Sequence, residues 1–293
     1  MSTGQVVTVD ERRLYALVHP YELDGRPSSH PVEVRGHSTM NCYLLLEDDA
    51  ALLYSTGYSV HEEALLAQLS DLVGDRKLTL VIPRVEFPSM CNARPIADRH
   101  DVERIYLRLP TNASDLLNFR EGHAIDATDS LRSIPTSTMP DGGHARIGAS
   151  GRRLDFIFPE LRLLPCNWAF DVDTHTLFPG DVFAWIWHDR PDGPWLLDDR
   201  TDDPTTPERV ATFLLRNRYW WLAGADVEPL RESVAQLFER YDIRVIAPDH
   251  GAILRGAAVD DHREMLDAAL AEAGRQEPVG VEVGRWTSTP VVS

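Results

Sequence analysis

A short apolar run at residues 243–247 leads into Pro248-Asp249-His250-Gly251, and a matching element lies upstream in Leu177-Phe178-Pro179-Gly180-Asp181-Val182-Phe183. Each places a metal-type ligand, His250 or Asp181, at the end of a strand-length stretch, where a loop can turn the side chain into a cleft. Together they read as two halves of one site, so the fold must bring both strand ends together. A third segment would be needed to complete such a site. It is Pro83-Arg84-Val85-Glu86-Phe87-Pro88-Ser89-Met90-Cys91-Asn92, and it offers few ligands.

The rest of the chain supplies strands first. Residues 41–47 and 50–54 read as strands joined by the turn 47–49, and Ser55-Thr56-Gly57 closes the second. A helix is predicted over 61–73, with Leu65, Leu66, Leu69 and Leu72 on one face. Residues 78–82 form a buried strand that delivers the chain to the 84–92 loop. A short helix at 93–100 and a strand at 102–107 follow. Regularity is then lost over 110–146, which holds Pro135, Pro140 and Gly142-Gly143 and reads as an elaborated surface region or a cover over the site. Strands return at 153–158, 167–171 and 175–178. A second irregular span, 189–207, carries Trp195 and is a candidate lid. Helices are predicted over 207–222, 226–240 and 260–274. Strands, a helix, strands again and then helices, without regular βαβ alternation, give an α/β chain with two sheets between helices, αββα. The expected organisation is a single domain over 1–275 with irregular insertions near 110–146 and 189–207, followed by a tail at 276–293.

Composition narrows the partners. Twenty-nine basic against 46 acidic residues give a net charge of −17, with no basic patch, which argues against nucleic acid and anionic lipid. No apolar run is long enough to span a bilayer, and the polar start lacks a signal core, so a cytoplasmic location is the default expectation. Three widely spaced cysteines fit a reduced compartment. Cys42 reads as a small buried hydrophobe, whereas Cys91 and Cys166 fall in or beside the candidate site segments.

Several of these stretches carry a resemblance. Through Asn41-Cys42-Tyr43-Leu44, the Ser55-Thr56-Gly57 turn, the loop with Glu86 and Asn92, residues 177–183, Arg218-Tyr219-Trp220-Trp221 and residues 246–251, the chain resembles the metallo-β-lactamase-fold superfamily. It is most similar to the flavodiiron and oxygen-binding diiron branch, over about residues 36–256. The resemblance implies a four-layer αββα fold with a dinuclear metal cleft. In the family the first loop reads His-x-Glu-x-Asp-His-x-Gly-Asn. Laid on that pattern, Arg84 stands for the first His, Glu86 is retained, Pro88 replaces the Asp and Ser89 the second His. Leu163 stands at a further His position, and Ser55 where an Asp commonly precedes Thr-Gly. Asp181 and His250 are retained. The resemblance thus implies a site with most metal ligands substituted, in which two irons are not expected. One iron or zinc ion on Glu86, Asp181 and His250 is the alternative. The flavodoxin-like domain that usually follows in this branch is not expected in cis.

Arg84 among Glu86 and Asp181 would supply the positive charge that a metal otherwise provides, since two buried carboxylates without a cation would have to take up protons. The expected site is therefore metal-free, with no cofactor. His250, Arg84 and Asp181 are the candidate catalytic residues, His250 for proton transfer and Arg84 as anchor for an anionic substrate. Glu86, Ser89, His37 and Trp185 are candidate ligand-binding residues. His37 either replaces a lost ligand or is an exposed loop histidine, and His144 and His188 stand alike. Trp185, Trp187 and Trp195 either line a pocket or pack in the core, and residues 218–221 read as helix packing. The functions that follow are a small-molecule binding protein or metal-free enzyme, a mononuclear metalloenzyme (oxidoreductase or hydrolase), or a pseudoenzyme subunit with an association role. The expected partners are a small molecule and, as a homodimer, a second copy.

Overall fold

A computed structural model describes residues 4–117 and 130–278. Two seven-stranded sheets dominate it. The first takes its strands in sequence order: β1 (Gln5–Asp10), β2 (Leu14–Glu22), β3 (His37–Leu46), β4 (Ala50–Tyr54), β5 (Lys77–Ile82), β6 (Val102–Leu107) and β7 (Thr136–Thr138). Pairing is antiparallel as far as β4 and parallel beyond it. The second sheet is built from β8 (His144–Ile147), β9 (Arg152–Ile157), β10 (Trp168–Asp171), β11 (Thr176–Phe178), β12 (Leu196–Leu197), β13 (Val245–Ile246) and β14 (Ile253–Arg255). Its order is β12-β14-β13-β11-β10-β9-β8.

Alternation along the strands decides the layering. In β2, β3 and β4, Leu14, Ala16, Val18, Tyr43, Leu45, Leu52 and Tyr54 point into the interface with the second sheet. Their neighbours Leu17, Cys42, Leu44, Ala51 and Leu53 point the other way, as the period of 2 requires. That outer face is covered by α1 (Glu62–Val73), through Leu65, Leu66, Leu69 and Val73, and by Ala93 and Ile96 of α3 (Ala93–Ala97), which follows the one-turn α2 (Phe87–Met90). Past α4 (Ala113–Leu117), helices α5 (Pro207–Leu215), α6 (Glu228–Arg240) and α7 (Ala257–Arg275) belong to the cluster of the second sheet. The architecture is αββα.

Several expectations shift. Strands β1 and β2 were not anticipated; Pro20, paired with Thr39, interrupts the strand signal of β2. The helix expected over 207–222 stops at Leu215, and a 3₁₀ turn at Trp220–Leu222 follows. Its start is well specified, because the Thr206 side chain accepts from Arg209 N at 3.2 Å with Pro207 next in line. The span 189–207 contributes edge strand β12 and buries Trp195 at 2% exposure. Of the irregular region 110–146, residues 118–129 lie outside the described residues, and the rest supplies α4, β7 and β8. Residues 279–293 of the expected tail also lie outside them. No helix among the described residues is long and apolar enough to cross a membrane.

Candidate functional site

Three strand ends converge at one edge of the sandwich. Strand β5 runs into Pro83-Arg84, β11 into Gly180-Asp181, and β13 into Asp249-His250. The segment before β10 closes on them, with Arg84 bridged to Cys166 and Asn167 N donating to Pro83 O at 2.9 Å. Strand β3 fixes the last of these loops. Asn41 Nδ2 donates to the carbonyls of Pro248 and Gly251, both at 2.9 Å; Thr39 Oγ1 donates to Gly251 O at 2.9 Å, and the Tyr43 hydroxyl to Pro248 O at 2.6 Å. Gly251 sits at φ +77°, and an added Cβ would overlap the Ile186 carbonyl oxygen, so this turn requires glycine.

The guanidinium of Arg84 occupies the centre, with its side chain 4% exposed. It is ion-paired to Asp181, lies 3.2 Å from Asp249 Oδ2 and 3.5 Å from Glu86 Oε2, and donates from Nε to Ser89 Oγ at 3.0 Å. A second guanidinium, Arg218, pairs with the same Asp181 oxygen. Burial works against ionising Asp181, but the two guanidiniums override it and hold its carboxyl well below the usual range. For Asp249 burial wins, even with Arg84 opposing it, and its carboxyl is pushed up to about 6.

His250 is fully buried, and burial pushes it down to about 3 although Asp181 favours the charged form; it is neutral at pH 7. Its Nδ1 lies 3.0 Å from the Thr39 carbonyl, which can only accept, so Nδ1 carries the proton. Nε2 therefore presents a lone pair. It faces Asp181 Oδ1 at 3.6 Å, and neither atom has a hydrogen-bond donor among the described residues. Tyr58 stacks on the imidazole and Tyr21 meets it edge-on, both with centroids 6.0 Å away. The adjoining cavity, about 20 Å³ and lined by Arg84, Glu86, Leu163, Cys166, Asp181 and Tyr219 among others, has room for a water molecule.

Arg84, Glu86, Ser89, Asp181 and His250 are thus brought together, and three other candidates are not part of this cluster. His37 pairs through its backbone with His188 and its Nδ1 lies 3.2 Å from Asp189 O. Trp185 is fully buried and donates to His262 Nδ1 at 3.0 Å, so it packs in the core. His144 is exposed on β8. Cys166 lines the cavity, its thiol pushed up to about 12 by burial against the pull of Arg84. Sequence reasoning missed Asp249, Arg218, Tyr21 and Tyr58. The signal that singled out Asp181, an acid just after an apolar strand, applies equally to Asp249; Arg218 carries no such signal. No group of three or more His, Cys, Asp or Glu side chains among the described residues is arranged to hold a metal ion.

No sequence-family profile matches the chain, and no curated protein matches it in sequence. Solved structures do match. Over 92% of this chain it superimposes on 61% of the metal-soaked Flv1 flavodiiron core from Synechocystis sp. PCC6803, with 18% identity and a TM-score of 0.64. This is the fold of the flavodiiron cores. A flavoprotein from Thermotoga maritima, 17% identical, matches over 93% of this chain and 62% of its own at a TM-score of 0.61. For rubredoxin oxygen:oxidoreductase from Desulfovibrio gigas the figures are 17%, 92%, 61% and 0.59. The chain spans about three fifths of the length of these structures. The flavodiiron-core fold, a metallo-β-lactamase architecture, accounts for both sheets and their helical covers, and at this identity the likeness is one of fold.

Proposed function

We propose that this flavodiiron-core fold works without metal: the cleft binds a small molecule, with Arg84 as the fixed positive charge and Nε2 of neutral His250 as the hydrogen-bond acceptor. One observation carries the reading, a single buried guanidinium within ion-pair distance of Glu86, Asp181 and Asp249. A dinuclear iron centre does not fit these residues. Asp181 already bears two guanidiniums, Ser89 spends its hydroxyl on Arg84, and Leu163 presents no ligand atom to the cavity. A ligand O–H or N–H that donated to His250 Nε2 would develop its negative charge beside Arg84, which suits binding or acid/base chemistry on a polar substrate.

A second reading, one iron or zinc ion on Glu86, Asp181 and His250, requires these side chains to regroup, since they are not arranged as a metal site in the structure; it is favoured by the two donor-less acceptors Nε2 and Oδ1 facing each other at 3.6 Å. Metal content measured by mass spectrometry on protein from iron- and zinc-supplemented cultures separates the two. The first reading expects no stoichiometric metal in the wild type and a gain in Arg84→His, because an imidazole then replaces the competing cation. One metal per chain in the wild type, lost in Glu86→Ala and His250→Ala, would establish the second.

A further inference from the structure

We propose that residues 23–36, which connect β2 to β3, are the gate of the Arg84 cleft and that Arg218 is its latch. Arg218 is held at two ends. Its Nη1 is ion-paired to Asp181 inside the site, while its Nε donates to the Ser28 carbonyl at 3.1 Å. The residues before it fasten the same segment, Asn217 Nδ2 on Ser28 O at 3.1 Å and Arg216 Nη1 at 3.5 Å from Glu33 Oε1.

The segment reaches His250 through Tyr21 of β2. Ser29 Oγ lies 2.9 Å from the Tyr21 hydroxyl, which in turn lies 3.2 Å from His250 Nδ1. His30 plugs the gap between Trp187 and Phe213, at centroid distances of 5.7 and 5.5 Å. Its backbone is tied mainly to itself. Leu23 N donates to Gly36 O at 2.8 Å across the base, and inside it His30 N reaches Pro27 O at 3.4 Å and Val34 N reaches Pro31 O at 3.0 Å. No backbone hydrogen bond among the described residues joins 24–35 to either sheet. Gly36 forms the hinge point, at φ +120° where a Cβ would strike the His188 carbonyl oxygen. The segment is therefore a flap closed at its base and held at its tip by side chains.

Arg218 is also the guanidinium that can leave. Asp181 keeps Arg84 when Arg218 withdraws, so opening breaks an ion pair without stranding a buried carboxylate. His250 is buried and its Nε2 has no access to solvent, so a ligand can reach that atom only after a neighbouring segment moves. This inference rests on the reading that the cleft takes a small molecule, but its test reads the gate without any ligand.

Hydrogen exchange by mass spectrometry on the full chain tests it, with wild type, Arg218→Lys, Arg218→Gln and Asp181→Asn compared. The amides of His30 and Val34 are expected to exchange about tenfold faster in Arg218→Gln and in Asp181→Asn, since a latch fails when either end is lost. Arg218→Lys keeps the charge without the fork and should fall between. Peptides from β4 and β5 should stay at the wild-type rate. Adding methylguanidinium to Arg218→Ala should restore protection at residues 24–35, and methylammonium should restore less. Wild-type exchange in Arg218→Gln, a rise shared equally by β4 and β5, or intact protection in Asp181→Asn would overturn the proposal. Metal content measured on the same samples reports separately on the functional reading.

Discussion

Two arginines are buried at opposite ends of β3, and their surroundings differ in one respect. Near the Leu46 end, Arg152 is fully enclosed and every nitrogen is employed. Its Nε and Nη2 clasp Asp171 side-on, and its Nη1 donates to the carbonyls of Arg13 at 2.9 Å and Leu46 at 3.2 Å. Thr174 donates to the same Asp171, and neither Arg152 nor Asp171 has a buried polar atom without a partner. Near the His37 end, Arg84 faces three carboxylates and leaves Arg84 Nη2, Asp181 Oδ1, both Asp249 oxygens and His250 Nε2 without aligned hydrogen bonds. Every member of the Arg152 set is satisfied, as in a buried ion pair that fastens structure, whereas the set around Arg84 keeps acceptors to spare, which is where the proposed ligand would bind. The contrast teaches that two equally buried arginines can differ in how completely their partners are hydrogen-bonded, a difference that burial and charge alone do not reveal.

The contrast can be broken most forcefully at Arg152. Arg152→Met should cost on the order of 4 kcal/mol in urea unfolding, because it strands Asp171 without a cation. Arg84→Met should cost less, about 2–3 kcal/mol at pH 8, since Asp181 retains Arg218, Glu86 is 21% exposed, and Asp249, whose carboxyl burial already pushes up to about 6, can take up a proton when the guanidinium is gone. That loss should shrink towards pH 5, where the carboxylates freed of Arg84 can take up protons. Equal losses at the two positions, with no pH dependence at Arg84, would erase the distinction.

The finest test is titration. Asp249, pushed up to about 6 from 3.8, holds a proton more tightly folded than unfolded. Its contribution to stability is present below about pH 4 and is lost as the pH rises through 6. His250, pushed down to about 3, acts in the opposite sense, favouring the fold above pH 6.5 and withdrawing that support as the pH falls. Subtracting one protein from another isolates the aspartate. Relative to wild type, Asp249→Asn should gain about 2 kcal/mol between pH 4 and pH 7 in denaturation curves. A flat difference would show that Asp249 is as fully compensated as the residues around Arg152.

Much of this was legible along the chain. Strand β4 and strand β6 were placed residue for residue, because continuous apolar runs between turn residues leave few alternatives. Helix α1 was visible from the spacing of its leucines. The grouping of Arg84, Glu86 and Asp181 followed from the ligand pattern of the family the chain resembles and from the charge that a guanidinium must balance. Strand β2 escaped because Pro20 lies within it, and the end of α5 because nothing between Leu215 and Trp220 announces a stop.

By itself, then, the sequence determined the layers and which strand ends would bear the charged side chains, since hydrophobic period and turn chemistry are local properties. Tertiary structure alone decided that Asp249 shares Arg84 with Asp181, that Arg218 reaches the site from 37 positions beyond Asp181, and that Trp185 belongs to the core with His262. The physical reason is that ion pairs and hydrogen bonds at such separations depend on where loops cross in space, and no periodicity along the chain encodes that.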